Sequence, residues 1–301
     1  MAATGPILVA GRSGRVARFL VEEAAHLGLP VRALGRPQLD IEDADCIART
    51  LAAESPRAII NAAGCVVVDE AERNPQAAFA INRDGAANLA AAAARRDIPF
   101  LHVSSDYVFD GSKMAPYVEE DSPAPLSVYG RSKVAGEQAV MAAHPSAVIV
   151  RTSWVYGPYG TNFVTTMLRL AKSQEVVRVV ADQYGTPTAG ADLARALLAM
   201  TTQLLAADHA RAAGTYHVAG VGETTWLGFA EAIFARWARA GHRIPRIEPI
   251  SLADWPGPAQ RPRYSCLDCS KVDRVFGVRL PEWQGQLERC VDRLHQLESM
   301  V

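Results

Sequence analysis

Short runs in which nearly every residue is apolar recur through the first half of the chain, at residues 7–10, 31–34, 58–60, 100–103 and 147–151. A strand with no polar face cannot lie against water, so such runs belong in a parallel sheet covered by helices on both sides. The stretches between them have the matching period. Residues 15–25 bring Val16, Phe19, Leu20 and Ala24 to one side of a helix, and residues 41–53, 75–95 and 128–143 also read as helices. Parallel strands need a crossover between them. This alternation therefore predicts an α/β fold, a doubly wound parallel sheet of the Rossmann kind with a smaller α/β lobe appended.

At 301 residues the chain is long enough for one large domain and that lobe. The regularity weakens after residue 151, where residues 154–162 and 182–188 are rich in Gly, Pro and aromatic residues and read as pocket-lining loops. The expected partition is a dinucleotide-binding domain over residues 1–155, rejoined by a return segment at about 186–220 that carries a helix (192–205) and a late strand (215–218). Residues 156–185 and 221–301, with a helix at 283–297, form the substrate-binding lobe. Trp226, Trp237 and Trp283 lie in helical patterns and read as packing residues of that lobe.

Charge excludes one class of partner. Lys and Arg total 31 against 32 for Asp and Glu, so the chain lacks the basic excess of a protein that follows phosphate backbones, and nucleic acid is not an expected partner. The first residues run directly into an apolar strand without a basic leader, and no window approaches the ~18 apolar residues of a membrane span. Five scattered cysteines suit a reducing cytoplasm. The Cys266-x-x-Cys269 pair lacks a second ligand pair and reads as incidental thiols; His217, in a strand, reads as structural.

Between the first strand and helix stands Gly11-Arg12-Ser13-Gly14-Arg15-Val16. Small residues there let backbone amides at a helix N-terminus approach a pyrophosphate. At the end of the second strand, where an acid usually grips the ribose 2′-hydroxyl of NAD, the chain has Gly35-Arg36. Arg36, helped by Arg12, suits a 2′-phosphate, so NADP(H) is favoured and NAD(H) stays possible. Asp40 and Ile41 are expected beside the adenine.

Tyr129 and Lys133 are four apart on a helix and share one face. A phenol with its ordinary pKa near 10 exchanges protons poorly at neutral pH, and a neighbouring ammonium would lower it. Ser105, at a strand end, would hold the oxygen of a substrate in line with the tyrosine hydroxyl. Asp106 beside it reads as a residue that orients groups by hydrogen bonding.

These motifs come with longer strings: SSDYVFDG, PLSVYGRSKVAGE, RTSWVYGPYGTNFV, DQYGTPT and RPRYSCLD. Together they resemble the dTDP-4-dehydrorhamnose reductases, a family of extended short-chain dehydrogenases/reductases, over nearly the whole chain. The resemblance implies hydride transfer from NAD(P)H to the C4 ketone of dTDP-4-dehydro-L-rhamnose, with Tyr129 giving the proton, Lys133 binding the nicotinamide ribose and Ser105 completing the triad. It implies a cofactor lining that includes Gly14, Arg15, Val16, Asp40, Ile41, Ala63, Gly64, Cys65 and Val66. It also implies sugar contacts from Ser105, Asp106 and Trp154, with Asn162, Gln183 and Arg261 around the nucleotide diphosphate.

The chain departs from the family at Gly14-Arg15-Val16-Ala17, where Gly-Gln-hydrophobic-Gly is usual, and at Gly64 to Asp69, where a threonine is missing. Some members hold a divalent ion through glutamates at a dimer interface. The comparable region here offers Asp192, so no metal is expected, while a homodimer stays open. Two alternatives also stay open: a reductase or epimerase for another nucleotide keto-sugar, and a non-catalytic regulatory NADP-binding subunit.

Overall fold

The computed structural model describes residues 5–206 and 209–299. Through its first half the chain runs β1 (Ile7–Ala10), α1 (Arg15–His26), β2 (Val31–Leu34), α2 (Ala44–Glu54), β3 (Ala58–Asn61), α3 (Val68–Arg73), α4 (Pro75–Phe79), α5 (Ala86–Ala94), β4 (Phe100–Ser105), α6 (Val128–Ala143) and β5 (Val148–Thr152). The second half runs β6 (Val155–Tyr156), α7 (Phe163–Ser173), β7 (Val176–Val180), β8 (Tyr184–Gly185), β9 (Thr188–Ala189), α8 (Gly190–Ala206), β10 (Gly214–His217), β11 (Thr224–Thr225), α9 (Trp226–Arg239), β12 (Arg246–Ile250), α10 (Ser270–Phe276) and α11 (Trp283–Ser299).

The apolar strands pair as expected. Six of them form one parallel sheet in the order β2-β1-β3-β4-β5-β10. Alternate residues of β1 serve opposite layers. Ile7 and Val9 pack with Phe19 and Leu20 of α1 and Leu193 and Leu197 of α8. Leu8 and Ala10 pack with Ile47 of α2, Leu89 of α5 and Val140 of α6. Ile7, Leu8 and Val9 are fully buried, each contributing about 1.5–3 kcal/mol relative to an exposed position. Strand order reverses between β1 and β3, which opens a crevice outside their carboxyl ends.

A second core lies apart from this sheet. β7 and β12 pair in parallel, and Leu168 of α7, Phe229, Ile233 and Trp237 of α9, and Leu287 and Val291 of α11 pack together against Val177 and Val179. Among the described residues, no helix is long and apolar enough to cross a membrane.

Several local expectations change. The helix expected from residue 41 starts at Ala44, because the Asp43 side chain accepts the amides of Asp45 and Cys46 and caps it there. Residues 75–95 are not one regular helix: a π-helical turn, Ala80–Gly85, separates α4 from α5. That turn carries buried Asn82, which bonds both backbone groups of Cys65 and the Ser132 hydroxyl. The two expected loops also contain short strands, with β6 pairing β9 and β8 pairing β11.

Candidate active site

The crevice starts at the glycine loop. Gly11 has φ +113°, and a Cβ there would come within 3.0 Å of the Ala62 backbone, so only glycine lets the turn close against β3. Gly14 caps the twelve-residue α1 without a side-chain bond, which leaves the positive end of the helix open to an anion. A cavity of about 610 Å³ lies against this end. It is lined by Gly11, Arg12, Ser13 and Gly14, by Arg36, Asp40 and Ile41 after β2, and by Ala63 and Gly64 after β3. The bare loop, the uncapped helix and the two arginines fit a dinucleotide.

One part of this end differs from expectation. Arg36 is not free, because it donates to Asp40 at 2.9 Å and pairs with Glu42 at 3.0 Å. The Asp40 hydrogen bond and the Glu42 charge raise the Arg36 pKa. For Asp40, desolvation opposes ionisation, but Arg36 and the Glu42 amide outweigh it and hold the carboxyl below its ordinary range. Asp40 therefore engages Arg36. Arg12 is exposed and forms no ion pair among the described residues.

The second cavity, about 470 Å³, brings together Arg15, Val16, Val66, Ser105, Asp106, Tyr129, Lys133 and Trp154. Ser105 comes from the end of β4; Tyr129 and Lys133 come from the first turns of α6 and are 8% and 4% exposed. Helix α6 is anchored at its start, where Ser127 accepts the Gly130 amide at 3.0 Å and Glu72 accepts the Val128 amide at 2.7 Å. A Cβ on Gly130 would collide with the Tyr107 carbonyl, and one on Gly136 with the Asn82 carbonyl.

Ser105 donates to Asp106 at 3.0 Å, and Asp106 also accepts from Ser265 at 2.6 Å. Burial pushes the Asp106 carboxyl up to about 6 even against these bonds. The expected coupling of Tyr129 to a lysine ammonium is not what the side chains do. Lys133 donates to the Val103 carbonyl at 2.7 Å and lies 3.5 Å from His102 Nε2. Burial brings Lys133 down to about 8, against the charge of Glu137. Burial also raises the Tyr129 phenol above its ordinary range, while a hydrogen bond with Ser105 works the other way. Arg15 reaches across the cleft to the Thr161 carbonyl.

The third cavity, about 330 Å³, is walled by Tyr107, Phe163, Met167, Gln183, Trp226, Trp255, Arg178 and Arg261. Trp154, held at φ +44°, stacks flat on Trp226 with centroids 3.4 Å apart. The Trp154 indole N–H is buried without a protein acceptor. The Trp226 N–H donates to Gln183 at 3.0 Å. Trp226 is thus a pocket wall as well as a packing residue.

Three expected contacts have other employment. Asn162 lines the second cavity, but its amide donates to the Gly157 carbonyl at 2.8 Å and its oxygen accepts the Val164 and Thr165 amides, capping α7. Arg261 is held by Asp69 of α3 at 2.8 Å. Cys65 lines none of the three cavities, and burial pushes its thiol up. Cys269 accepts the Ala219 amide, His217 bonds the Tyr117 carbonyl, and Asp192 accepts from Arg195. Residues that no motif announced are Arg178, Trp226 and Trp255; the two tryptophans signal aromatic content near loops, which does not say that the loops converge, and Arg178, in β7, carries no signal of its own.

The cavities adjoin one another. The first and second share Ser13, Gly14, Ala62, Ala63 and Gly64; the second and third share Tyr107, Phe163 and Trp226. A profile of the RmlD substrate binding domain family matches residues 5–296. A dTDP-4-dehydrorhamnose reductase of Sinorhizobium fredii is 42% identical over 285 residues, covering 95% of this chain and 96% of the relative. The crystal structure of a dTDP-4-dehydrorhamnose reductase from Clostridium acetobutylicum superposes with a TM-score of 0.89 at 34% identity, covering 96% of this chain and 99% of that one. The enzyme of that name from Bacillus anthracis, solved in complex with NADP, superposes at 0.86 with 36% identity and the same coverage. With a matching fold and a matching profile, the chain belongs to the RmlD substrate binding domain family, that of the dTDP-4-dehydrorhamnose reductases.

Proposed function

We propose that this chain reduces the C4 ketone of dTDP-4-dehydro-L-rhamnose to dTDP-L-rhamnose with NAD(P)H, and that Tyr129 delivers the proton. The observation that carries this reading is the meeting of Ser105, Tyr129 and Lys133 in the cavity between the glycine-loop crevice and the aromatic pocket. Bound along the crevice, the cofactor supplies the hydride. In this reading residues 1–155 with 186–220 hold it, and residues 156–185 with 221–301 hold the nucleotide sugar.

The division of labour follows from charge. A ketone oxygen gains negative charge as hydride arrives, and the Ser105 hydroxyl and Tyr129 phenol are the donors placed to receive it. Burial keeps Tyr129 protonated at neutral pH, which suits a donor in the reducing direction. The one Ser105 hydrogen goes to Asp106, itself tied to Ser265, until a ketone oxygen takes it over. Gly11 to Gly14 and the α1 N-terminus suit the pyrophosphate; Arg12 and Arg36 suit a 2′-phosphate, which favours NADP(H) while leaving NAD(H) usable. Trp154, with its unpartnered N–H, and Trp226 suit the sugar and its nucleotide; Gln183 and Arg261 suit the nucleotide diphosphate.

The test is loss of NADPH absorbance on adding the enzymatically generated keto-sugar, with NADH in parallel. Oxidation that depends on Tyr129 supports the assignment. If the cofactor binds but is not oxidised, the substrate assignment is wrong.

A further inference from the structure

The lining of the third cavity holds two guanidinium groups, Arg178 and Arg261, and no carboxylate. The two cations are differently placed. Arg261 donates to Asp69 at 2.8 Å, and its Cζ lies 5.7 Å from the centre of the Trp255 ring. Asp69 also accepts the Ala259 amide at 3.4 Å. A carboxylate this close offsets most of the charge that Arg261 could offer an anion. Asp69 and Arg261 instead tie the wall that carries Trp255 to α3.

Arg178 stands in β7 between Val177 and Val179, which turn into the second core and leave the guanidinium on the opposite face, along the cavity. Among the described residues it has no hydrogen bond and no ion pair. The carboxylate opposite it in the strand register is Glu248 of β12, and that group pairs with Arg246, 3.7 Å away. A neutral donor borders the same space. The Trp226 N–H can only donate, so Gln183 turns its oxygen toward it at 3.0 Å and its amide nitrogen away. Gln183 is 1% exposed, and that nitrogen, near the Tyr107 phenol, makes no hydrogen bond of ordinary length within the protein. A buried donor left in this state is costly unless a ligand oxygen meets it.

An unpaired guanidinium and an unmet amide, bordered by the rings of Phe163, Trp226 and Trp255, suit an anion joined to a flat ring. We propose that Arg178 is the residue that meets the diphosphate of the nucleotide sugar, with Gln183 Nε2 beside it, and that Arg261 is a positioning residue. The proposal deepens the reading of this cavity as the nucleotide-sugar site and rests on it. The order of the cavities supports the placement. The second cavity holds Ser105 and adjoins the third at Tyr107, Phe163 and Trp226, so a sugar seated at Ser105 carries its diphosphate across that border.

The test is calorimetric titration with dTDP and with thymidine, the latter into the millimolar range. Both ligands carry the same ring, so the ratio of their affinities isolates the diphosphate. Arg178→Gln should weaken dTDP by about tenfold and leave thymidine within about twofold. The wild-type preference for dTDP should shrink in ~0.5 M salt more than that of the variant. Arg178→Lys should recover part of the loss, since an ammonium supplies the charge without the planar fork. Arg261→Gln should weaken both ligands by the same factor, through the wall. An unchanged dTDP-to-thymidine ratio in Arg178→Gln overturns the proposal, as does a ratio lost in Arg261→Gln alone. Melting temperature and NADPH affinity report whether each variant folds; if Arg178→Gln does not, Arg178→Lys and the wild-type salt dependence decide. A parallel titration with UDP and uridine separates this proposal from the substrate assignment. If the wild type prefers UDP, the dTDP assignment falls, and the effect of Arg178→Gln on UDP still tests Arg178. A wild-type chain that binds neither diphosphate more tightly than its nucleoside overturns the proposal, and NADPH oxidation with the keto-sugar then judges the function separately.

Discussion

The two ends of the trough are built by opposite means. At the glycine-loop end, Gly11, Gly14 and Gly64 withhold side chains, so backbone and a helix terminus form the contact surface. At the other end the wall consists of side chains, with Tyr107, Phe163, Gln183, Trp226, Trp255 and Arg261 brought in from separate parts of the chain. Backbone recognition tolerates little change at a few adjacent positions. Side-chain recognition spreads the interaction over many positions, each of which can vary while the cavity survives.

This contrast is tested most strongly where the ends meet. Tyr129→Phe should lower ketone reduction by about 10²- to 10⁴-fold, the usual contribution of a positioned proton donor, while the NADPH dissociation constant stays at its wild-type value. Near-normal turnover would remove Tyr129 from the chemistry. Trp226→Ala should raise KM for the nucleotide sugar by about tenfold, through loss of stacking and buried area, with NADPH affinity unchanged. Equal losses at both ends, measured by separate titrations, would show that they are not independent.

Smaller effects sharpen the picture. Arg36→Ala should weaken NADPH by about three- to fivefold, since the guanidinium is half-exposed and must leave Asp40 and Glu42 to meet a phosphate. NADH binding should hold or improve, and an equal loss for both cofactors would mean that Arg36 does not read the 2′ position.

The smallest effect concerns Asp106. Its folded value of about 6 lies above that of an unfolded aspartate, about 3.9, so the folded state binds more protons between these values. Stability from this group is present below the lower value, falls as pH rises through the window, and is flat above it. Asp106→Asn should therefore raise the melting temperature by a few degrees at about pH 7.5 and by less at about pH 4.5. A shift independent of pH would count against a buried carboxyl that resists ionisation.

What the sequence discloses divides along the same contrast. Helix α6 matches its expected span, and Ser127, whose side chain accepts the Gly130 amide, marks its start. The glycine loop and the Ser105, Tyr129 and Lys133 set were visible because their roles depend on local spacing. The spacing of Tyr129 and Lys133 places both on one helix face, but it does not say where a flexible lysine ends. Its actual neighbours, His102 and the Val103 carbonyl, come from a strand some thirty positions earlier. The ion pairs of Arg36 with Asp40 and Glu42 were not legible, since surface ion pairs are chosen among near-equal alternatives. Helix α7 and strands β7 and β12 escaped notice for a different reason. β12 contains Pro249 and exposed residues, and it is a strand through its pairing with β7.

Gly130 and Gly136 place one further demand on the chain. Gly130 directly follows Tyr129, Lys133 lies between the two glycines, and at both points the helix rests on the carbonyl of another segment with no side chain between. The helix that carries Tyr129 and Lys133 is therefore seated like a shaft in two bearings, with its clearance set at the Tyr107 and Asn82 carbonyls. A single added methyl group at either bearing would tilt the shaft as a whole. Such a change should leave every reactive residue in place chemically and still misalign all of them at once.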